Sequence, residues 1–319
     1  MSQASMVAAL FERTGEAEQV VELREVPVPV PGPGEVLVRV QAASLQPADR
    51  MFIGGAYRHR PVFPQPAGLV GAGVVARCGA QVDLVPGTPV AFRHPGAWGE
   101  FCVVPAERLF RIPDDVEMED ASQFALNPLT AWALLDAANV GPGDWLAVNA
   151  AGSNVAAMVR ALACARGVHM ATIPHPSQAG VDGRIAPMAQ ALLAASGGEP
   201  LAALLDAVGG PQLLEALPAL RQGAVIVSYG MLGQAPVPVR NEDLIFRNLT
   251  WIGFGVDHWL ARHASQRDAM LRELWGAIRG RTLPLPVRAR FPLGRLHEAL
   301  RADAAGGVGK VLLTLGGEA

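Results

Sequence analysis

The sequence predicts an α/β protein built from a partly open β-barrel and a doubly wound parallel sheet. Three observations predict it. Up to Asp120 the chain shows many short strand patterns at close spacing, divided by Gly and Pro turns. Beyond Asp120, apolar strand runs alternate with helical patterns, the order of a parallel sheet covered on both faces. Near the end, GKVLLTL reads as a strand returning to the first part.

The elements follow in order. A Pro/Gly loop, VPVPVPGPG, precedes EVLVRV, whose alternation marks a half-buried strand. GLVGAGVVARCGAQV and GTPVAFR are further strands, with glycines at their bends. AWGEFCVVPAERLFRIP holds another pair. DASQFALNPLTAWALLDAAN is helical, and Pro128 breaks or restarts it, because proline lacks the amide that an interior position needs. Five parallel strands are then expected: Trp145 to Asn149, His169 to Ile173, Ala203 to Val208, Ala224 to Gly230 and Leu249 to Val256. Helical patterns lie between most of them, one of them at 185–196. A last helix spans 267–280. The expected domains are 1–124, 125–262 and a return to the first domain over 263–319.

Composition narrows the function. At 319 residues, with 50% hydrophobic and 17% charged residues, the chain is an ordinary globular enzyme in make-up. A net charge of -3 gives no basis for nucleic-acid binding. The three cysteines, Cys78, Cys102 and Cys164, form no CxxC pair, which argues against a disulfide framework or a zinc site and fits a reducing, cytoplasmic setting. The N-terminus lacks the pattern of a secretory signal, and no stretch is apolar and long enough to span a bilayer, so no membrane partner is expected.

The stretches PGPGEVLVRVQAASLQPAD, GAGVVARCG, GTPVAF, AWGEFCVVPAERLFRIPDDV, ALNPLTAWALL, LLDAVGG, LIFRNLTWIGF and GGVGKVLL, taken in this order, resemble the medium-chain dehydrogenase/reductase superfamily from end to end. The resemblance implies a GroES-like barrel with an inserted Rossmann domain. The catalytic-zinc branch carries a Cys and a Gly-His-Glu where this chain reads LQPAD and PAGLV, and the cysteines of the structural zinc lobe are absent too. No candidate set of zinc ligands is left. The chain therefore resembles the zinc-independent branch, the quinone oxidoreductases and 2-enoyl thioester reductases. That implies hydride transfer from a nicotinamide cofactor to a double bond conjugated to a carbonyl, with a hydrogen-bond donor for the enolate oxygen.

The resemblance assigns residues. There are two tyrosines, and Tyr57 in GGAYRHR matches the reductases' Gly-x-Tyr position, where a tyrosine meets the substrate carbonyl. Arg58, His59 and Arg60 follow it and could attract an anionic coenzyme A thioester. The turn NAAGSNVA resembles the enoyl-reductase form of the dinucleotide loop, with Gly152, Ser153, Asn154 and Val155 at the cofactor and amides of a helix N-terminus facing phosphate. Asn154 and Ala156 stand where the family has two glycines. Asparagine tolerates a left-handed conformation, and alanine is accepted at the packing position. A dinucleotide site for NAD has an acid about 20 residues on; here ATIPHPSQ has none, and His175 falls where an arginine meets the 2′-phosphate. NADPH is therefore expected over NADH. Asn127 and Thr130 match the segment lining the nicotinamide, Gln46 a position near its ribose, and Tyr229 the place where backbone passes the cofactor. Phe254 matches a pocket position, and Lys310 a lysine near the cofactor phosphates.

The resemblance, with NPLTA and Tyr57 retained, favours the reductase, but two departures carry a second reading from another class. Between HMATI and ALLDAV, the family's Gly-Ala-Asp turn and its strand are not recognisable, so the sheet is expected to be short at that edge. With the altered loop, this raises the alternative of a non-catalytic relative acting as a binding or assembly module. LTWIGFGV is expected at the opposite edge, pairing with its twin in a homodimer, since an unpaired apolar edge invites aggregation. The expected partners are a quinone, an enone or an enoyl thioester as substrate, and a second copy of the chain.

Overall fold

The computed structural model describes residues 4–173, 188–233 and 235–316. Its chain forms two compact units, one of residues 1–126 with 285–319 and one of residues 127–284. The boundary at 126 lies close to the expected 124. The return lies at 285 rather than 263, because the helix Arg267–Arg279 belongs with the second unit. There, Trp132 Nε1 donates to Glu273, and Arg166 lies 3.1 Å from the same carboxylate.

The first unit is the barrel. Its strands are β1 (Ser5–Phe11), β2 (Glu22–Pro27), β3 (Glu35–Ser44), β4 (Gln65–Pro66), β5 (Val70–Cys78), β6 (Pro89–Arg93), β7 (Phe101–Pro105) and β8 (Leu109–Arg111). The order β2-β1-β4 makes one sheet, and β3 pairs with both β5 and β7 in another. Val36, Val38 and Val40 of β3 are shielded and Arg39 faces out, but Leu37 is buried too, so the strand is covered on both faces over part of its length. Phe11 and Phe52 meet edge to face at 5.8 Å in the core, an arrangement that ring quadrupoles favour.

The second unit is a five-stranded parallel sheet of β9 (Trp145–Val148), β10 (His169–Thr172), β11 (Leu201–Asp206), β12 (Leu220–Ser228) and β13 (Thr250–Gly253). The order is β10-β9-β11-β12-β13. A doubly wound dinucleotide fold runs 3-2-1-4-5-6. Among the described residues the third of those strands is missing, and β10 is the edge, as the short HMATI–ALLDAV connection predicts. Strand β11 is buried throughout, which explains its unbroken apolar run. The helix Met188–Ala195 packs its Leu192 into a core shared with Leu204 and Ile226. Pro128 sits in the first turn of the helix Asn127–Ala137, so the helical pattern restarts there.

The chain returns through β14 (Val287–Pro292) and β15 (Lys310–Thr314). Strand β15 runs antiparallel to β3, with Leu313 opposite Ala43. GKVLLTL thus closes the first unit. No helix among the described residues is long and apolar enough to cross a membrane.

Candidate active site

The carboxyl ends of β9, β11, β12 and β13 converge around one buried carboxylate. Asp206 is 1% exposed. Its Oδ1 accepts from Asn149 Nδ2 at 2.6 Å, from the Val208 amide at 3.0 Å and from the Gly209 amide at 2.8 Å. Its Oδ2 accepts from Ser228 Oγ at 3.0 Å, and Ser228 Oγ in turn accepts from Trp251 Nε1 at 3.0 Å. Asn149 returns the link by accepting from the Ala207 amide at 2.7 Å. A carboxylate removed from water is stable only when its lone pairs are met in this way. The network ties together the strand ends where open parallel sheets bind ligands.

The turn out of β9 leads straight into the helix Asn154–Ala165. Ser153 caps it, its Oγ accepting from the Ala156 amide at 3.2 Å. Ala156 is fully buried, as a residue at the packing position must be. The left-handed residue of the turn is Ala150, with φ of 50°. Asn154 is already helical, so its tolerance of left-handed backbone is not what shapes the turn. Gly152 has no positive φ, and a Cβ there would meet nothing within 4 Å. Gly152 is exposed, and Asn154 and Val155 after it lie half-buried.

Tyr229 follows β12. Its amide donates to the Asp206 carbonyl at 2.8 Å. Its hydroxyl is buried, with the Ser153 hydroxyl as its neighbour. Burial first, and the nearby Asp206 second, hold its phenol well above the usual tyrosine range. Phe254 leaves β13 with its amide on the Ser228 carbonyl at 2.8 Å. Asn127 and Thr130, both buried, lie on the helix Asn127–Ala137. The second unit thus carries Asn127, Thr130, Gly152, Ser153, Asn154, Val155, Tyr229 and Phe254, and it gathers the turn and Tyr229 around Asp206. His175 lies outside the described residues.

Gln46, Tyr57 and Lys310 belong to the first unit. Gln46 precedes the helix Pro47–Ile53 and is buried, its Nε2 donating to Ser44 Oγ at 2.9 Å. The carboxylate of Asp49 accepts from the Gln46 amide at 2.7 Å and from the Leu69 amide at 2.8 Å. This pins the helix start to the chain entering β5. Tyr57 lies in the loop beyond that helix, half-buried, its ring 6.2 Å from Phe52 and in edge contact with it. Lys310 is 8% exposed. Burial lowers its pKa to about 8, against the opposing pull of Asp303 and Asp49. Burial likewise raises Asp49 to about 7 despite its two amide donors and Lys310. Lys310 opens β15, and the carboxylates of Asp303 and Asp49 favour its charged form.

Sequence reasoning passed over Asp49 and Asp206. The signal for Asp49 was present: Gln-Pro-Ala-Asp has proline at the first helical position and an acid at the third, a helix-start pattern. Asp206 ends an apolar run, and only the sheet order shows what surrounds it. Among the described residues no three His, Cys, Asp or Glu side chains gather as a metal site.

Comparisons with known proteins agree with this architecture. Residues 32–114 match the alcohol dehydrogenase GroES-like domain. The mitochondrial enoyl-[acyl-carrier-protein] reductase of Xenopus tropicalis is 31% identical, over 92% of this chain and 90% of that protein. The quinone oxidoreductase of Pseudomonas syringae is 25% identical with a TM-score of 0.83, over 97% of this chain and 99% of the other. A mycobacterial protein solved with NADPH is 27% identical with a TM-score of 0.80, over the same shares. The chain belongs to the medium-chain dehydrogenase/reductase superfamily, in its branch of enoyl reductases and quinone oxidoreductases, a family of NAD(P)H-dependent oxidoreductases.

Proposed function

We propose that the chain is an NADPH-dependent reductase of double bonds conjugated to a carbonyl, acting on a quinone, an enone or an enoyl thioester without a metal. One observation carries this reading. At the carboxyl end of β9, a capped twelve-residue helix presents its first amides at the turn of Gly152, where a Cβ would meet nothing within 4 Å, with the buried hydroxyl of Tyr229 beside Ser153. Helix N-termini favour anions through free amides and the helix dipole. The residues present thus fit the pyrophosphate of a dinucleotide, with the Tyr229 hydroxyl beside Ser153 at the same turn.

When bound, the reduced nicotinamide supplies a hydride. The protein's own work is orientation and charge. Ser153, Asn154 and Val155 hold the phosphates, with Asp206 keeping the turn in register through Asn149. Within the second unit, Asn127, Thr130 and Phe254 position the nicotinamide end. Tyr57 donates a hydrogen bond to the acceptor's carbonyl oxygen, where negative charge develops as hydride adds at the β-carbon. The lack of an acid after β10 supports NADPH over NADH. The unpaired Cys78, Cys102 and Cys164 support a reducing compartment such as the cytoplasm, while the enoyl reductase relatives are mitochondrial. The edge position of β13 supports a homodimer.

The test is calorimetric titration with NADPH and then NADH, followed by NADPH oxidation with a quinone and with an enoyl thioester. Tight NADPH binding and turnover are expected. No heat with either nucleotide would overturn the reading.

A further inference from the structure

Tyr57 hangs on a short helix. Pro47–Ile53 has seven residues, too few to be stable without tertiary anchors. The chain that follows is built on its last turn: the Gly54 amide donates to the Arg50 carbonyl and the Ala56 amide to the Met51 carbonyl, each at 2.8 Å. Together with the Phe52 ring contact, these bonds make the place of Tyr57 depend on the place of the helix. Gly54 and Gly55 are exposed, and Gly55 has φ of 77°, so the link adds little stiffness of its own. The Arg50 side chain anchors the helix to two elements far away in sequence. Its Nε donates to Asp303 Oδ2 at 3.1 Å, its Nη1 to Glu18 Oε2 at 3.2 Å and its Nη2 to the Leu300 carbonyl at 2.7 Å. Nη2 also lies 2.9 Å from Glu18 Oε1. Glu18 belongs to the helix Ala17–Val20, and Leu300 and Asp303 to the helix Leu296–Ala304 of the returning segment. The side chains of Arg50, Glu18 and Asp303 are only 28%, 25% and 20% exposed, so water competes weakly for these charge-assisted bonds.

Two adjacent residues thus hold one helix. Asp49 fixes its start to the chain entering β5, and Arg50 ties it to helices from the two ends of the chain. We infer that Arg50 is a positioning residue for Tyr57, setting through this helix where the tyrosine hydroxyl stands. This rests on the reductase reading above, in which Tyr57 is the donor to the acceptor carbonyl. Arg50 takes no part in the hydride or proton transfer. Rate depends steeply on geometry: a shift of about 1 Å at a reacting group costs up to about a hundredfold. A partly exposed ion pair contributes little to stability by comparison. Loss of the clamp should therefore show in turnover before it shows in folding.

The test is a cycle of variants in the full-length protein. Arg50→Met keeps an apolar stem and removes the fork. With NADPH and a quinone or an enoyl thioester, its kcat should fall about tenfold while NADPH affinity stays unchanged, at a temperature where a melting curve shows the variant folded. Tyr57→Phe combined with Arg50→Met should be as slow as Tyr57→Phe alone, because no hydroxyl is left to place. Arg50→Lys should regain part of the rate, since an ammonium can meet one carboxylate but not all three acceptors. Asp303→Asn weakens the same clamp from its other side and should lower kcat too, which keeps the inference testable if Arg50→Met does not fold. Trypsin gives a readout that needs no turnover. Arg58 is exposed in the loop, and cleavage after it should quicken about fivefold in Arg50→Met without nucleotide. A rate loss that multiplies with that of Tyr57→Phe, or kcat and cleavage both unchanged, would overturn the inference and leave the reductase reading standing. Full kcat in Tyr57→Phe would remove Tyr57 as the donor and the inference with it. No turnover of either acceptor by the unaltered chain would overturn both.

Discussion

Single side chains decide the chemistry and part of the stability. If Tyr57 donates to the acceptor carbonyl, Tyr57→Phe removes one hydroxyl and little else, since the ring contact with Phe52 survives. The expected result is a kcat lower by about a hundredfold with NADPH affinity unchanged, read from steady-state rates and a nucleotide titration. Asp206 is a different case. Asp206→Ala leaves Asn149, Ser228 and two amides without their acceptor, and the expected loss is about 3 kcal/mol or more, measured by urea unfolding. His94 contributes to acid sensitivity. Burial first, and Arg108 second, lower its pKa to about 4. Between pH 6.5 and 4 the unfolded chain takes up a proton that the folded chain refuses. This contribution to stability is full above pH 6.5 and is lost as pH falls towards 4. His94→Phe should therefore weaken the acid dependence of unfolding by no more than about 2 kcal/mol, since the half-buried ring keeps some solvent.

At the scale of elements, the dinucleotide turn is the instructive case. Its sequence lacks two glycines of the family loop, yet strand, turn and capped helix all form. The strain falls on Ala150, the residue with φ of 50°. A left-handed alanine costs about 1 kcal/mol, while glycine there gives up part of that gain through the freedom of the unfolded chain. Ala150→Gly is expected to raise stability by about 0.5 kcal/mol, seen as a small rise in melting temperature. The helix Pro47–Ile53 offers the opposite lesson. Its start pattern was legible in Gln-Pro-Ala-Asp, but its weight came from what Asp49 touches, the amide of Leu69 twenty residues away.

For the whole molecule, the edges of the parallel sheet matter most. Among the described residues β10 and β13 are its two rims. The next segment after β10 lacks the family's turn and strand in sequence, and β10 is left at the edge. β13 exposes one side of a strand whose neighbours include the exposed Ile245 and Phe246. An open apolar edge is a template for pairing, and a second copy is the expected cover. Sedimentation of the purified chain should give twice its 33.5 kDa; a monomer at micromolar concentration would refute the homodimer.

Order and period made much of this protein readable from sequence alone. Alternation in EVLVRV, the apolar run of ALLDAV and the restart at Pro128 each reflect local backbone and burial rules, so barrel, parallel sheet and returning strand were all visible. The boundary at 285, the carboxylate network on Asp206, the burial of Lys310 and the contact of Arg108 with His94 were not. Each depends on groups far apart in sequence, and only the packed chain sets the distances, the loss of solvent and the hydrogen-bond partners that determine what a charged side chain does.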